Sequence, residues 1–270
     1  MFIHYLTHAL ELTGIDYIEP DIFDFGSGSG NSVFAALEVF EKCNIMASDL
    51  SVELLQILNT IREEYYPNAN VPCIAMDIQK TKLKNDSFDI FLGLAILHHV
   101  IEPDIVFNIA YKALKNNGSL IMFEPMLGYQ ILGAVYKTIL TMDKYMRQSE
   151  ALPENIKASL TALSFDYEIR AKMYDKILHV KITDLDDKWI YSKIHINEMA
   201  KRAGFKEVKF KDLNQHPRYV NELRAVLPLL GSDIREVPEW AIEVISNFDA
   251  MDIKSRYNEV NFATAIVCVK

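Results

Sequence analysis

Gly26, Gly28 and Gly30 stand at alternate positions after a short apolar run (Ile22, Phe23, Phe25) and before Val33, Phe34, Leu37 and Phe40 at helical spacing. The pattern predicts strand, glycine turn, helix. Such a turn brings backbone close to a ligand with no side chain in the way, and the helix behind it offers unpaired N–H groups. It can bind the polar tail of a nucleotide-like cofactor. Two acids downstream, Asp49 and Asp77, each close an apolar run that reads as a strand, and Asp24 lies inside the first run. Acids ending successive parallel strands fall along the carboxyl edge of a sheet, where ligands bind in open α/β folds. Asp49, 19 residues past Gly30, could accept from both hydroxyls of a ribose; it could equally put negative charge before a helix that Ser51 caps. His98 and His99 end the following apolar run, and adjacent side chains diverge, so one of the two faces any shared pocket. A neutral imidazole there could take a proton from a hydroxyl, phenol or ammonium acceptor, or the pair could cap the next helix.

The glycine spacing narrows the cofactor. A dinucleotide fingerprint needs glycine at position 31, which is Asn31. Gly26-x-Gly28-x-Gly30 with Asp24 before it instead resembles the first motif of the class I S-adenosylmethionine-dependent methyltransferases. Phe88 through His99 is similar to the fourth-strand motif of the small-molecule members, and Lys-Asn-Asn-Gly-Ser-Leu-Ile-Met-Phe-Glu-Pro, ending at Pro125, is close to the family's helix-turn-strand ending. The resemblance implies an α/β fold, a seven-stranded doubly wound and mostly parallel sheet, with S-adenosyl-L-methionine as cofactor and S-adenosyl-L-homocysteine as product. It implies Asp24, Phe25, Gly26, Ser27, Gly28 and Gly30 around the methionine part, Asp49 at the ribose, Leu50 against the adenine face, Asp77 at the adenine amino group, Ile78 at the ring, and Ala95 among the cofactor residues. Of the histidine pair it favours His99 as a general base, with His98 beside it, although many members need no protein base. An N-terminal helix that covers the cofactor in the family makes Tyr5 and Tyr17 pocket candidates.

These residues need elements to hold them. Asn44 to Ser48 reads as a second strand, Val71 to Met76 as a third with Pro72 marking a start or edge, Phe88 to Gly93 as a fourth, and Ser119 to Phe123 as a fifth. Pro103 starts a helix that Asn116-Asn117-Gly118 would end. Helical spacing over Leu127 to Met146 and from Pro153 to about Leu178 departs from the family pattern and reads as a cap shaping an acceptor pocket. Tyr129, Tyr136, Met142, Tyr145, Met146, Tyr167, Met173 and Tyr174 in it are packing residues for the most part, with a few left to line an apolar acceptor site. His195 to Ala203 resembles the helix before a sixth strand, Glu207 to Leu213; about fifty further residues precede the last strand, which the resemblance places antiparallel between strands five and six. The expected organisation is a cofactor-binding core with an N-terminal helix over residues 1–125, a helical cap over 126–190, and the rest of the core sheet with a second insertion over 191–270.

Composition bounds the partners. The 270 residues carry a net charge of −9 and are half hydrophobic, which fits a globular chain and argues against a phosphate-tracking nucleic-acid surface. Cys43, Cys73 and Cys268 are dispersed, and no apolar run reaches the length of a membrane span, so a reducing cytoplasm is the expected setting. His4 and His8, four apart, would share a helix face as a metal half-site or as packing histidines, and no metal site is expected. The expected function is methyl transfer to an oxygen or nitrogen of a small molecule, in a chain with homodimerisation among its expected partners. The alternatives are a nucleic-acid or protein methyltransferase and a non-catalytic S-adenosylmethionine-binding module; Asn31 disfavours a dehydrogenase.

Overall fold

The computed structural model describes residues 2–172, 181–213, 217–254 and 261–270. The chain divides into two units, one of residues 1–124, 192–213 and 264–270, the other of residues 125–191 and 214–263.

The first unit opens with α1 (Phe2–Thr13), then β1 (Asp21–Phe25), α2 (Asn31–Val39), β2 (Asn44–Asp49), α3 (Val52–Tyr65), β3 (Cys73–Ala75), β4 (Phe88–Leu94), α4 (Pro103–Ala113) and β5 (Leu114–Pro125). It ends with α7 (Lys193–Ala203), β6 (Glu207–Asp212) and β7 (Ala263–Val269). The seven strands form one sheet in the order β3-β2-β1-β4-β5-β7-β6. β1 pairs in parallel with β2 and β4, β2 with β3, and β4 with β5, while β6 and β7 are antiparallel. Central parallel strands are covered on both faces, which is why β1 and β4 read as nearly continuous apolar runs. Ile22, Ile45, Ile90 and Ile121 pack with Leu6, Val33 and Leu58 on one face. Phe23 and Phe25 meet Phe91 at ring separations of 5.0 and 5.3 Å.

The boundaries shift in two places for local reasons. β3 is only three residues long: Pro72 has no N–H to give a ladder, yet its carbonyl accepts from Ala47, and Met76 N–H reaches the Asp49 carbonyl. The pairing therefore spans the expected stretch, although regular strand does not. α4 stops at Ala113, before the expected Asn116-Asn117-Gly118 ending. Leu114 pairs with Phe88 ahead of a register shift, and Asn117 takes a left-handed φ of 66°, so these residues form a bulged entry into β5. Ser51 caps α3, its Oγ accepting from Leu54 N–H at 3.1 Å.

In the second unit α5 (Gly128–Asp143), α6 (Glu154–Lys172), α8 (Arg218–Val226) and α9 (Glu239–Lys254) bury Tyr136, Ile156, Leu160, Tyr219, Leu223 and Phe262. Tyr129, Tyr136 and Tyr167 pack ring to ring there, in the packing role expected of most tyrosines in this stretch, while Tyr145 is exposed. Met173 and Tyr174 lie outside the described residues. Pro228 breaks the helical run, so α8 gives way to a 3₁₀ turn at Leu227–Leu230. Among the described residues no helix is long and apolar enough to cross a membrane.

Candidate functional site

The glycine turn is stitched to the end of β2. Ser27 N–H donates to the Ser48 carbonyl at 2.9 Å, Ser48 N–H donates to Ser27 Oγ at 3.0 Å, and Ser27 Oγ lies 3.0 Å from the Asp24 carbonyl. The Ser27 hydroxyl is thus buried and committed to the turn. Gly26 has φ +66°, and a Cβ there would stand 2.1 Å from Ile96 Cγ1. Gly28, at φ +54°, has open space where its Cβ would be. One glycine admits a neighbouring side chain and the other leaves room for a ligand. Gly26→Ala is expected to cost about 2–4 kcal/mol, from left-handed strain plus overpacking, read as a lower urea midpoint. Adding Ile96→Ala is expected to recover the packing part of that loss.

Two acids, Asp24 and Asp49, meet this turn, and a third, Asp77, stands just past the end of β3. Asp24 is fully buried at the end of β1, with Oδ2 accepting from Ser32 Oγ at 2.6 Å and Oδ1 without a partner. Burial pushes its carboxyl up to about 7, against the hydrogen bond from Ser32. Asp49 Oδ2 accepts from Gly28 N–H and its Oδ1 from Ser51 N–H, each at 2.8 Å, so the carboxylate ties the glycine turn to the start of α3. Each oxygen keeps a lone pair for a further donor. Asp77 caps a short turn, with Oδ1 accepting from Gln79 N–H at 3.0 Å and Oδ2 paired with Lys80 at 3.0 Å. The Lys80 hydrogen bond, supported by Gln79, holds its carboxyl below the usual range.

A cleft runs along the carboxyl ends of β1, β2 and β3, walled by Gly26, Asp49, Leu50, Asp77, Ile78 and His99. A wider concavity at the opposite edge of the sheet lacks the glycine turn, and its acid at the start of β1, Asp21, is bridged with Asp89 by Lys115 at 2.7 and 2.8 Å. The carboxyl-edge cleft is the one with chemistry around it. Residues 20–193 match a family described as a methyltransferase domain. The chain belongs to this class I, S-adenosylmethionine-dependent methyltransferase family.

The fold of this methyltransferase domain recurs widely among solved structures. Phosphoethanolamine N-methyltransferase 2 of Haemonchus contortus, in complex with S-adenosyl-L-methionine, is 17% identical, with a TM-score of 0.56 over 99% of this chain and 52% of that one. The chain therefore spans about half the length of that enzyme. The [4+2]-cyclase SpnF matches at 14% identity and TM-score 0.56 over 99% of this chain and 80% of its own. A putative sarcosine dimethylglycine methyltransferase from Galdieria sulphuraria matches at 13% identity and TM-score 0.55, covering 99% and 84%. Sequence comparison with curated proteins returned no match.

Within the methyltransferase core the remaining candidates spread around the cleft. Phe25 forms part of its wall, Leu50 stands on the rim at 74% exposure, and Gly30 is the residue before α2, buried. Ala95 takes a left-handed φ of 54° and its N–H donates to the Phe123 carbonyl at 2.9 Å, so it sets the turn after β4 without itself walling the cleft. His99 is on the wall, whereas His98 is buried behind it, with ring centroids 4.2 Å apart. Tyr5 stacks on Phe123 at 5.5 Å, near the carboxyl end of β5. Tyr17 is not at the cleft: its hydroxyl donates to Ser119 Oγ at 2.8 Å, well before that end. His4 and His8 do face each other, Nε2 to Nε2 at 3.1 Å, but His8 Nδ1 lies 3.0 Å from Glu11 and 2.7 Å from the Lys211 ammonium, a packed polar cluster on α1 and β6. Sequence reasoning missed Ser48, Met76, Gln79, Ile96 and Val100 on the wall, and Glu124 beneath it. Each of the five wall residues is the chain neighbour of one already singled out: Ser48 of Asp49, Met76 of Asp77, Gln79 of Ile78, Ile96 of Ala95 and Val100 of His99.

Proposed function

We propose that this chain transfers a methyl group from S-adenosylmethionine to an oxygen or nitrogen of a small molecule. The observation that carries the reading is Asp49, whose carboxylate joins the glycine turn to the cleft while keeping acceptor capacity on both oxygens. The residues present suit the cofactor: the partnerless buried Asp24 Oδ1 offers an acceptor under the turn for an ammonium, and the open side of Gly28 leaves space for the amino-acid tail. Asp49 then holds the ribose, Asp77 the adenine amino group, and Leu50 and Ile78 the ring faces. The bound sulfonium supplies an electrophilic methyl group. The protein has to align the acceptor in line with that carbon and keep water away. His99, on the cleft wall, takes the proton that an acceptor hydroxyl or amine gives up as its new bond to carbon forms.

Calorimetry with S-adenosylhomocysteine tests the cofactor, and labelled S-adenosylmethionine with panels of phenols, amines and carboxylates tests the transfer. His99→Ala is expected to slow turnover by roughly 10–100-fold with S-adenosylhomocysteine affinity nearly unchanged. An unchanged rate removes His99 from the proton step. A [4+2]-cyclase shares the fold, so fold alone does not separate methyl transfer from a second reading, a module that binds the cofactor without transferring its methyl group. Tight binding with no labelled product from any acceptor would favour it.

A further inference from the structure

Glu124, next to last in β5, is 1% exposed, and both of its carboxylate oxygens are used. Oε1 accepts from Ile96 N–H at 3.1 Å and Leu97 N–H at 2.8 Å. Oε2 accepts from His98 N–H at 3.2 Å and lies 2.7 Å from His98 Nδ1. Three successive backbone donors following β4 thus converge on one side chain of the neighbouring strand. They open the short turn Leu97–His99, whose first backbone carbonyl bond is made only by His99 N–H, to Ile96 at 3.0 Å, so the N–H groups before it need another acceptor. A buried carboxylate is strongly unfavourable without such donors, so strand and turn depend on each other. An oxygen already accepting backbone N–H groups acts as an acceptor again in the fourth bond, which puts a hydrogen on His98 Nδ1.

The consequences reach the cleft by three contacts. Ile96, whose N–H is held, fills the space beside Gly26, where a Cβ would come within 2.1 Å of it. The His98 ring, held in one tautomer, lies 4.2 Å from the His99 ring. His99 and Val100 continue from the same turn onto the cleft wall.

We propose that Glu124 is a positioning residue for the reaction: its carboxylate sets the backbone of residues 96–98 and the tautomer of His98, and through them the place of His99 on the wall of the cofactor cleft. This rests on the methyl-transfer reading above. During transfer, the acceptor's bond to the methyl carbon forms while the carbon–sulfur bond breaks with its electron pair to sulfur, and the acceptor's proton passes to an imidazole. Glu124 touches neither reacting atom. It places the imidazole pair and supplies a nearby negative charge when one ring becomes cationic.

The test compares Glu124→Gln and Glu124→Asp in the full chain. Gln keeps an oxygen for Ile96 and Leu97 but turns an amide donor toward His98, and so favours a hydrogen on Nε2. Asp keeps the charge on a side chain one methylene shorter. The expected result is a kcat at least tenfold lower in Glu124→Gln, S-adenosylhomocysteine affinity within about twofold, and a kcat for Glu124→Asp recovered most of the way to the parent value. ¹⁵N NMR is expected to show the His98 hydrogen on Nδ1 in the parent and on Nε2 in Glu124→Gln. Equal turnover in parent and Gln variant, or one His98 tautomer in both, overturns the inference. Should the parent bind the cofactor product yet methylate nothing, the methyl-transfer reading fails by itself, and the NMR comparison still decides whether Glu124 sets the histidine.

Discussion

Asp49→Ala is expected to weaken S-adenosylhomocysteine binding by roughly 10²–10⁴-fold, from the loss of two charge-assisted hydrogen bonds to the ribose at about 1.5–3 kcal/mol each. In the proposed site the carboxylate would meet the ribose while accepting from Gly28 and Ser51 N–H groups at 2.8 Å each, so it is held by backbone before any ligand arrives. A preorganised acceptor of this kind loses little on binding, which is why its removal should be felt in full. Asp49→Asn, which keeps one acceptor oxygen, should fall between parent and alanine variant. The fold itself should change little, because the freed N–H groups lie at a half-exposed site where water can replace the carboxylate. Calorimetry and a urea midpoint separate the two effects, and a dissociation constant equal to the parent's would remove Asp49 from the cofactor site.

Asp24→Asn is expected to flatten a pH-dependent loss of stability. The buried carboxyl keeps its proton to about pH 7 in the folded chain, against an ordinary value of 3.8, because burial penalises the charged form and Asp49 adds like charge. Between these two pH values only the unfolded chain gives up the proton, so raising the pH favours unfolding across roughly pH 4–7 and adds no more above that range. The full effect is on the order of 4 kcal/mol at most. The amide cannot ionise and still offers Ser32 an acceptor, although it replaces an unpartnered oxygen by a buried donor. The variant should therefore be about 2 kcal/mol more stable than the parent at pH 8 and about 2 kcal/mol less stable below pH 4, where only the cost of the buried amide donor remains. Urea midpoints across pH 4–8 measure it; parallel curves would show that Asp24 ionises normally. Cofactor binding should move the other way. An ammonium next to Asp24 stabilises the carboxylate, so the parent should release a proton on binding near pH 6, and the Asn variant should bind at least tenfold more weakly.

The glycine spacing was legible because a strand, a left-handed turn and a helix start are decided by residues within about ten positions of one another. Gly26 at φ +66° and Gly28 at φ +54° need glycine for reasons visible in the local chain alone. The same holds for Asp49 and Asp77, since a parallel sheet with short connections puts each strand end on one edge. The bulged start of β5 was not legible: Leu114 belongs to the sheet only because Phe88 is its neighbour. Tyr17 was misplaced for a similar reason, its hydroxyl being taken by Ser119, 102 residues away.

What the amino-acid order determined by itself is therefore the family, the alternation of strands and helices, and the place of Gly26, Asp49 and Asp77 at a carboxyl-edge cleft. How Ile96 comes to that cleft and Glu124 to a place beneath it was decided only when β4 came to lie between β1 and β5. Ile96 against Gly26, and Glu124 under Ile96, Leu97 and His98, are contacts between strand ends 26 to 28 residues apart for the carboxylate and far more for the glycine. Hydrogen bonds and packing at such ends depend on sheet order and register, which side-chain periodicity along one strand does not encode.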